Sequence, residues 1–219
     1  MNNYIKLKNI NKSYEKNKNI KVLNNISFDF ESGKTYSIVG PSGSGKSTLL
    51  NLLSLIDTPN SGSIEIDQYK INFENKKNND EIRSKKIGII YQDKNLLSDF
   101  TALENVYLPN LLTSNDKTYS ENRAKKIIKN IGLYSRLHHY PSELSGGESQ
   151  RIAISRAIIN SPDIILADEP TGNLDFNNAK QIFKILFNLK SKNRIIIFAT
   201  HNRYFANMAD CKIKMIGGK

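Results

Sequence analysis

Apolar residues along the chain recur at two different spacings. Ile26, Phe28 and Phe30 alternate with Ser27 and Asp29, which predicts a half-buried strand. TYSIV (35–39), SIEID (63–67) and KIGIIY (86–91) predict further strands. IILA (164–167) and RIIIFAT (194–200) are short continuous apolar runs, the pattern of strands covered on both faces. Elsewhere the period lengthens. Residues 46–56 read as a helix, and LENVYLPNLL reads as another that follows Thr101, with Glu104 at capping-box spacing. ENRAKKIIKNI (121–131) predicts a helix starting after Ser120 and stopping at Gly132. Ala153, Ile154, Ala157 and Ile158 share one face of a helix opened by Ser145, Gly146 and Gly147, and AKQIFKILFNL (179–189) supplies one more. KINFENKKNND (70–80) is polar and reads as a solvated loop. Strands alternating with helices imply an α/β fold on a mostly parallel sheet. The helices crowded between about 92 and 160 form an insert within that core.

Length and composition narrow the class. A chain of 219 residues fits one domain, or one core with a large insert. MNNYIKLKNI has no apolar h-region, so no signal peptide is expected, and every apolar run is too short to cross a bilayer. One cysteine, Cys211, excludes an internal disulfide and suits a reducing compartment. A net charge of +11 is compatible with nucleic acid or an anionic membrane surface. The basic residues form no RNP, zinc-finger or arginine-rich motif, so a solvated lysine-rich surface is expected and no nucleic-acid partner.

The chemistry concentrates in a few places. Gly40, Gly45, Lys46 and Ser47 match G-x-x-x-x-G-K-[ST], and the strand before and helix after are the setting that pattern needs. Over the whole loop, Gly40, Pro41, Ser42, Gly43, Ser44, Gly45, Lys46, Ser47 and Thr48, small residues let backbone N–H groups approach phosphate oxygens. Lys46 reaches the β- and γ-phosphates and Ser47 offers a hydroxyl to Mg²⁺. Asp168 and Glu169 end an apolar strand downstream, where one carboxylate can hold the metal and the other orient and deprotonate water. His201 follows the strand RIIIFAT, either as a structural residue or as a partner for the γ-phosphate. Gln92 is an amide for Mg²⁺ or water, or an ordinary loop residue. Tyr14 is a platform for adenine or a strand-edge tyrosine. His138 and His139 read as structural. Ser145, Gly146 and Gly147 open a second helix N-terminus suited to anions, about a hundred residues after the first.

In their order along the chain, GPSGSGKST, Gln92, LSGGESQR (144–151), ILADEP (165–170), GNLD (172–175) and His201 resemble an ABC-type ATPase over essentially the whole length. The resemblance implies a P-loop NTPase fold of ABC type. Its nucleotide-binding α/β core with an antiparallel β subdomain would lie at 1–91 and 161–219, and a helical signature subdomain at 92–160. It also implies a homodimer in which Ser145, Gly146, Gly147 and Glu148 of one copy cap the ATP on the other copy's loop, which accounts for two anion devices in one chain. It assigns adenine stacking to Tyr14, metal contacts to Ser47, Gln92 and Asp168, and catalysis to Glu169, His201 and Lys46. Asp175 falls at the dimer seam, and ATP and Mg²⁺ are the expected cofactors. Two separate transmembrane subunits would dock near residues 92–108 and hold the protein peripherally at the cytoplasmic face of the inner membrane. DEPTGNLD (168–175), LLSDFTALENVYLP (96–109) and HYPSELSGGE (139–148) look most like the ATPase of Lol-type lipoprotein-releasing systems. Macrolide or peptide export and cell-division ATPases of the same subgroup are the alternatives, and an ABC-type ATPase acting on nucleic acid or the ribosome is a third, against which stands the lack of a second fused cassette or long coiled coil. Ser149 stands where many relatives carry a longer polar residue.

Overall fold

The computed structural model describes residues 4–14 and 21–219. Two sheets organise it. Strands β1 (Tyr4–Ser13), β2 (Lys21–Glu31), β4 (Ser61–Ile66) and β5 (Tyr69–Lys70) form an antiparallel sheet in the order β2-β1-β4-β5. Strands β3 (Thr35–Val39), β6 (Ile87–Ile90), β7 (Ile164–Asp168), β8 (Ile195–Ala199) and β9 (Cys211–Lys214) form a parallel sheet in the order β6-β7-β8-β3-β9. β7 and β8 are buried along nearly their whole length, as continuous apolar runs require. Because β3, β7 and β8 run the same way, Val39, Asp168 and Ala199 end at the same edge.

Helix α1 (Lys46–Leu53) packs with β1, β4 and one face of the parallel sheet in an apolar core that includes Ile5, Leu7, Phe30, Ile38, Leu52 and Ile197. Helix α6 (Phe176–Asn188) covers the opposite face, burying Ile182, Phe183 and Leu186 against Ile165, Ile196 and Phe198. Helices α3 (Ala102–Ser114), α4 (Lys117–Asn130) and α5 (Gly146–Ile158) enclose a third core of their own, with Val106, Ala124, Ile128 and Ile152 fully buried. Each fully buried Leu, Ile, Val or Phe side chain contributes about 1.5–3 kcal/mol to holding these elements together.

Several boundaries differ from the sequence expectations, each for a local reason. Residues 70–80 are not a loop throughout, because a second helix, α2, spans Lys76–Lys86. It is capped by Asn75 and laced by the Arg83–Asp80 and Lys85–Glu81 ion pairs, and its one buried residue is Asn79. α4 starts after Asp116, whose carboxylate accepts the Tyr119 N–H; Ser120 lies inside the helix, its hydroxyl donating to Asn110 Oδ1. α1 stops at Leu53 rather than Ile56 because Leu55 adopts φ +59°. β1, β9 and the short helix α7 (Arg203–Ala206) had no counterpart among the expected elements.

Candidate functional site

The parallel sheet sets the site. β3 delivers the chain into the 40–45 loop, and Gly45 turns it into α1 with φ +97°, a left-handed conformation natural only to glycine. A Cβ there would also lie 2.8 Å from the Val22 carbonyl oxygen. No side chain caps α1, so its first-turn N–H groups face the loop and not a local acceptor. Lys46 Nζ donates to the Gly40 and Pro41 carbonyls at 2.9 and 3.1 Å, which holds the ammonium over the loop.

β7 and β8 bring in the acid and the imidazole. Glu169, one residue past β7, sits at φ +43°, a backbone strain that costs a non-glycine residue on the order of 1 kcal/mol or more and that clusters at functional sites. Its N–H donates to the Ala199 carbonyl at 3.1 Å, and its Oε2 lies 3.0 Å from His201 Nδ1. The carboxylate is largely covered and the imidazole mostly exposed. Asp168 Oδ1 is buried with no hydrogen-bond partner, an arrangement that leaves a carboxylate oxygen uncompensated unless a cation faces it.

The loop, Glu169 and His201 converge on one cavity of about 620 Å³, which Asp168, one residue before Glu169, does not line. Gly40, Pro41, Ser42, Gly43, Gly45, Lys46, Ser47 and Thr48 line it, together with Tyr14, Gln92, Glu169 and His201. Val22, which no sequence signal marked, completes the wall. Ser44 is buried beneath the loop instead, its hydroxyl unpartnered. Among the described residues no three His, Cys, Asp or Glu side chains cluster as a metal site. The donors at hand are a carboxylate, a hydroxyl and an amide, a hard-oxygen set that suits Mg²⁺ sharing its shell with phosphates.

Ser145, Gly146, Gly147, Glu148 and Asp175 do not line that cavity. Ser145 caps α5: its Oγ accepts the Glu148 N–H at 3.2 Å, and Glu148 Oε2 accepts the Ser145 N–H at 2.9 Å. Glu148 Oε1 takes the Arg136 guanidinium at 3.0 Å. The Ser145 N–H, and then Arg136, hold the Glu148 carboxyl below its usual range. Asp175 caps α6 by accepting the Asn177 and Asn178 N–H groups at 3.0 and 3.1 Å. The two helix starts adjoin, for a Cβ on Gly147 would come within 3.0 Å of Asn178 Oδ1. Arg136 carried no motif; only its partnership with Glu148 across twelve residues gives it away.

Residues 23–172 match the family model described as ABC transporter. The chain belongs to the ABC transporter family. The lipoprotein-releasing system ATP-binding protein LolD of Cytophaga hutchinsonii is 44% identical over 91% of this chain and 91% of its own. LolD of Wigglesworthia glossinidia brevipalpis is 43% identical over 100% and 97%. An uncharacterized ABC transporter ATP-binding protein of Methanocaldococcus jannaschii is 43% identical over 98% and 96%. Among solved structures, a dimeric post-hydrolysis state of the ATP-binding cassette MJ0796 bound to ADP and Pi superposes with a TM-score of 0.90 at 37% identity, covering 98% of this chain and 95% of that one. The parallel and antiparallel sheets with their helices are thus the P-loop fold of ABC cassettes, and the protein is an ABC ATPase resembling LolD.

Proposed function

We propose that this ABC cassette hydrolyses ATP as a homodimer and drives the release of lipoproteins from the inner membrane toward the outer membrane through two separate membrane subunits. The observation that carries the chemistry is the meeting of Glu169, His201 and the 40–48 loop around one cavity, with Glu169 Oε2 3.0 Å from His201. The loop's backbone N–H groups and the start of α1 bind the β- and γ-phosphates, and Lys46 neutralises them. Tyr14 stacks on the base. Glu169 takes the proton of the attacking water, and His201, bonded to it, is positioned toward the γ-phosphate. Asp168, Ser47 and Gln92 would hold Mg²⁺, which would supply Lewis-acid stabilisation of phosphate charge. Ser145, Gly146 and Gly147 cap the γ-phosphate on the other copy, with Asp175 at the seam between the copies. Glu148 keeps α5 capped instead of touching that phosphate, since its carboxylate is spent on Ser145 and Arg136.

The lipoprotein cargo is supported by relatives of that name at 42–44% identity over nearly the whole chain. No helix among the described residues is long and apolar enough to cross a membrane, which fits a peripheral cytoplasmic subunit docked through the segment near 92–108. An equally similar archaeal cassette has no characterized role, so the name shared by the other relatives does not fix the cargo, and the second reading is that the same subunit serves an exporter or a cell-division complex.

Reconstitution decides between them. The chain, purified with the membrane subunits it captures and placed in liposomes carrying a lipoprotein, should free that lipoprotein to a soluble acceptor only with ATP. Capture of an exporter or division protein, with no ATP-dependent release, would overturn the cargo assignment while leaving the ATPase intact.

A further inference from the structure

Tyr14 has two environments. One borders the cavity of the 40–48 loop. The other belongs to a pair of residues that do not reach that cavity, Lys12 and Asp57. Tyr14 is 46% exposed, so packing alone leaves its ring free to rotate. Its hydroxyl, however, donates to Asp57 Oδ2 at 3.0 Å. Lys12 Nζ lies 4.9 Å from the ring centroid, within cation–π range, and the same ammonium donates to Asp57 Oδ1 at 2.5 Å and to the Thr58 carbonyl at 2.7 Å. Asp57 Oδ1 is fixed in turn by the Thr58 N–H at 2.7 Å. Lys12 is 9% exposed, an unusual degree of burial for a lysine, and its charge is compensated by Asp57. The three side chains therefore form a closed set. The carboxylate holds the phenol and the ammonium, and the ammonium lies against the ring.

We propose that Lys12 and Asp57 are positioning residues for the nucleotide base, clamping the Tyr14 ring at the angle at which it stacks. The inference rests on the reading that Tyr14 stacks on the base. The physical reason is entropic: an exposed tyrosine must be ordered before a base can lie on it, and a ring ordered in advance spares the ligand that cost. Neither residue lines the cavity of the 40–48 loop, so the clamp should act on the base alone.

Calorimetric titration of the full chain with Mg-ATP and, separately, with Mg-tripolyphosphate separates these effects, because tripolyphosphate has no base. Asp57→Ala and Lys12→Met should each weaken ATP binding about twofold to twelvefold, the cost of ordering one side chain on binding, and leave tripolyphosphate unchanged. Tyr14→Phe, which keeps the ring and leaves the Lys12–Asp57 pair whole, should show a smaller loss of the same selectivity, and covers the case in which Asp57→Ala fails to fold. In a Tyr14→Ala background, Asp57→Ala should cost nothing further. If Tyr14→Ala weakens ATP while Asp57→Ala, Lys12→Met and Tyr14→Phe bind it as the unaltered chain does, the clamp is wrong and stacking stands. If Tyr14→Ala itself leaves ATP untouched, stacking fails, and the clamp with it. Equal losses on ATP and tripolyphosphate would also overturn the clamp, since they mark a general disturbance of the loop.

Discussion

The starts of α1 and α5 are both glycine-flanked helix N-termini, yet they are finished differently. At α1, Gly45 stands in the cap position with no side-chain acceptor, leaving the first turn's donors for a ligand. At α5, Ser145 and Glu148 satisfy one another reciprocally, and Arg136 braces the acid. The first is an incomplete helix end inside a ready cavity. The second is a complete helix end whose residues do not line that cavity. A helix start that has to fold around a ligand can leave its caps off, whereas one that must stay folded while it waits for a partner needs them.

The strongest test of this contrast is Glu169→Gln. All the chemistry of the proposed mechanism lies on the α1 side, so removing the base should lower steady-state hydrolysis about 10²- to 10⁴-fold while ATP still binds. The variant should also elute as an ATP-bound dimer on size exclusion. Retained hydrolysis would remove Glu169 from the mechanism. Next in size, Gly147→Asp should cost about 10²-fold at the facing site in mixed dimers, because it sets a like charge against the γ-phosphate and crowds Asn178. Normal turnover at that facing site would break the division of labour between the two ends.

A matched pair sharpens it further. Thr101 caps α3 with Glu104 by the same reciprocal bonds as Ser145 and Glu148, but it has no part in the proposed chemistry. Thr101→Ala and Ser145→Ala should each cost about 1 kcal/mol, or a few degrees in Tm. Only Ser145→Ala should also slow turnover. Parallel melting curves and ATPase assays check both halves of that statement.

The smallest effect concerns pH and belongs to the α/β region. Burial works against the charge on Asp210, but the Lys190 ammonium and the Thr35 N–H and hydroxyl outweigh it and draw the carboxyl down to about 2. A depressed carboxylate stabilises the fold fully above its unfolded pKa, 3.8, and that contribution is lost as pH falls toward 2. Because the side chain is 38% exposed, solvent screening keeps the effect to less than about 1 kcal/mol. Asp210→Asn should flatten acid unfolding in that window. An unchanged acid limb would show that the Lys190 and Thr35 contacts carry no such weight.

What could be read from the sequence follows from how loudly each element speaks in apolar residues. β7 and β8 are nearly continuous apolar runs, and the loop at 40–48 is a spacing rule, so both were legible. Helix α2 was not: KKNNDEIRSKK has no apolar stripe, and what holds it is an Asn75 cap and short-range ion pairs. Ser120 looked like a cap because it precedes the apolar period, yet Asp116, one turn earlier, took the role. Within the site, residues whose job is fixed by backbone geometry (Gly45, Lys46, Glu169) announced themselves. Val22, Lys12, Asp57 and Arg136 act by contact across the fold, which no local spacing encodes.

Helix α5 belongs to two interiors at once, with Ile152 in the core shared with α3 and α4 and Ile154 in the core beneath α6. Thirteen residues at 1.5 Å each make it a rod of about 20 Å, and its glycines sit at the N-terminal tip, against the start of α6. Pivoting about its far end by only about 5° would carry those glycines roughly 1.5 Å, half the length of a hydrogen bond. On the proposed role of those glycines, rocking the helical block through that angle would be enough to offer or withdraw them.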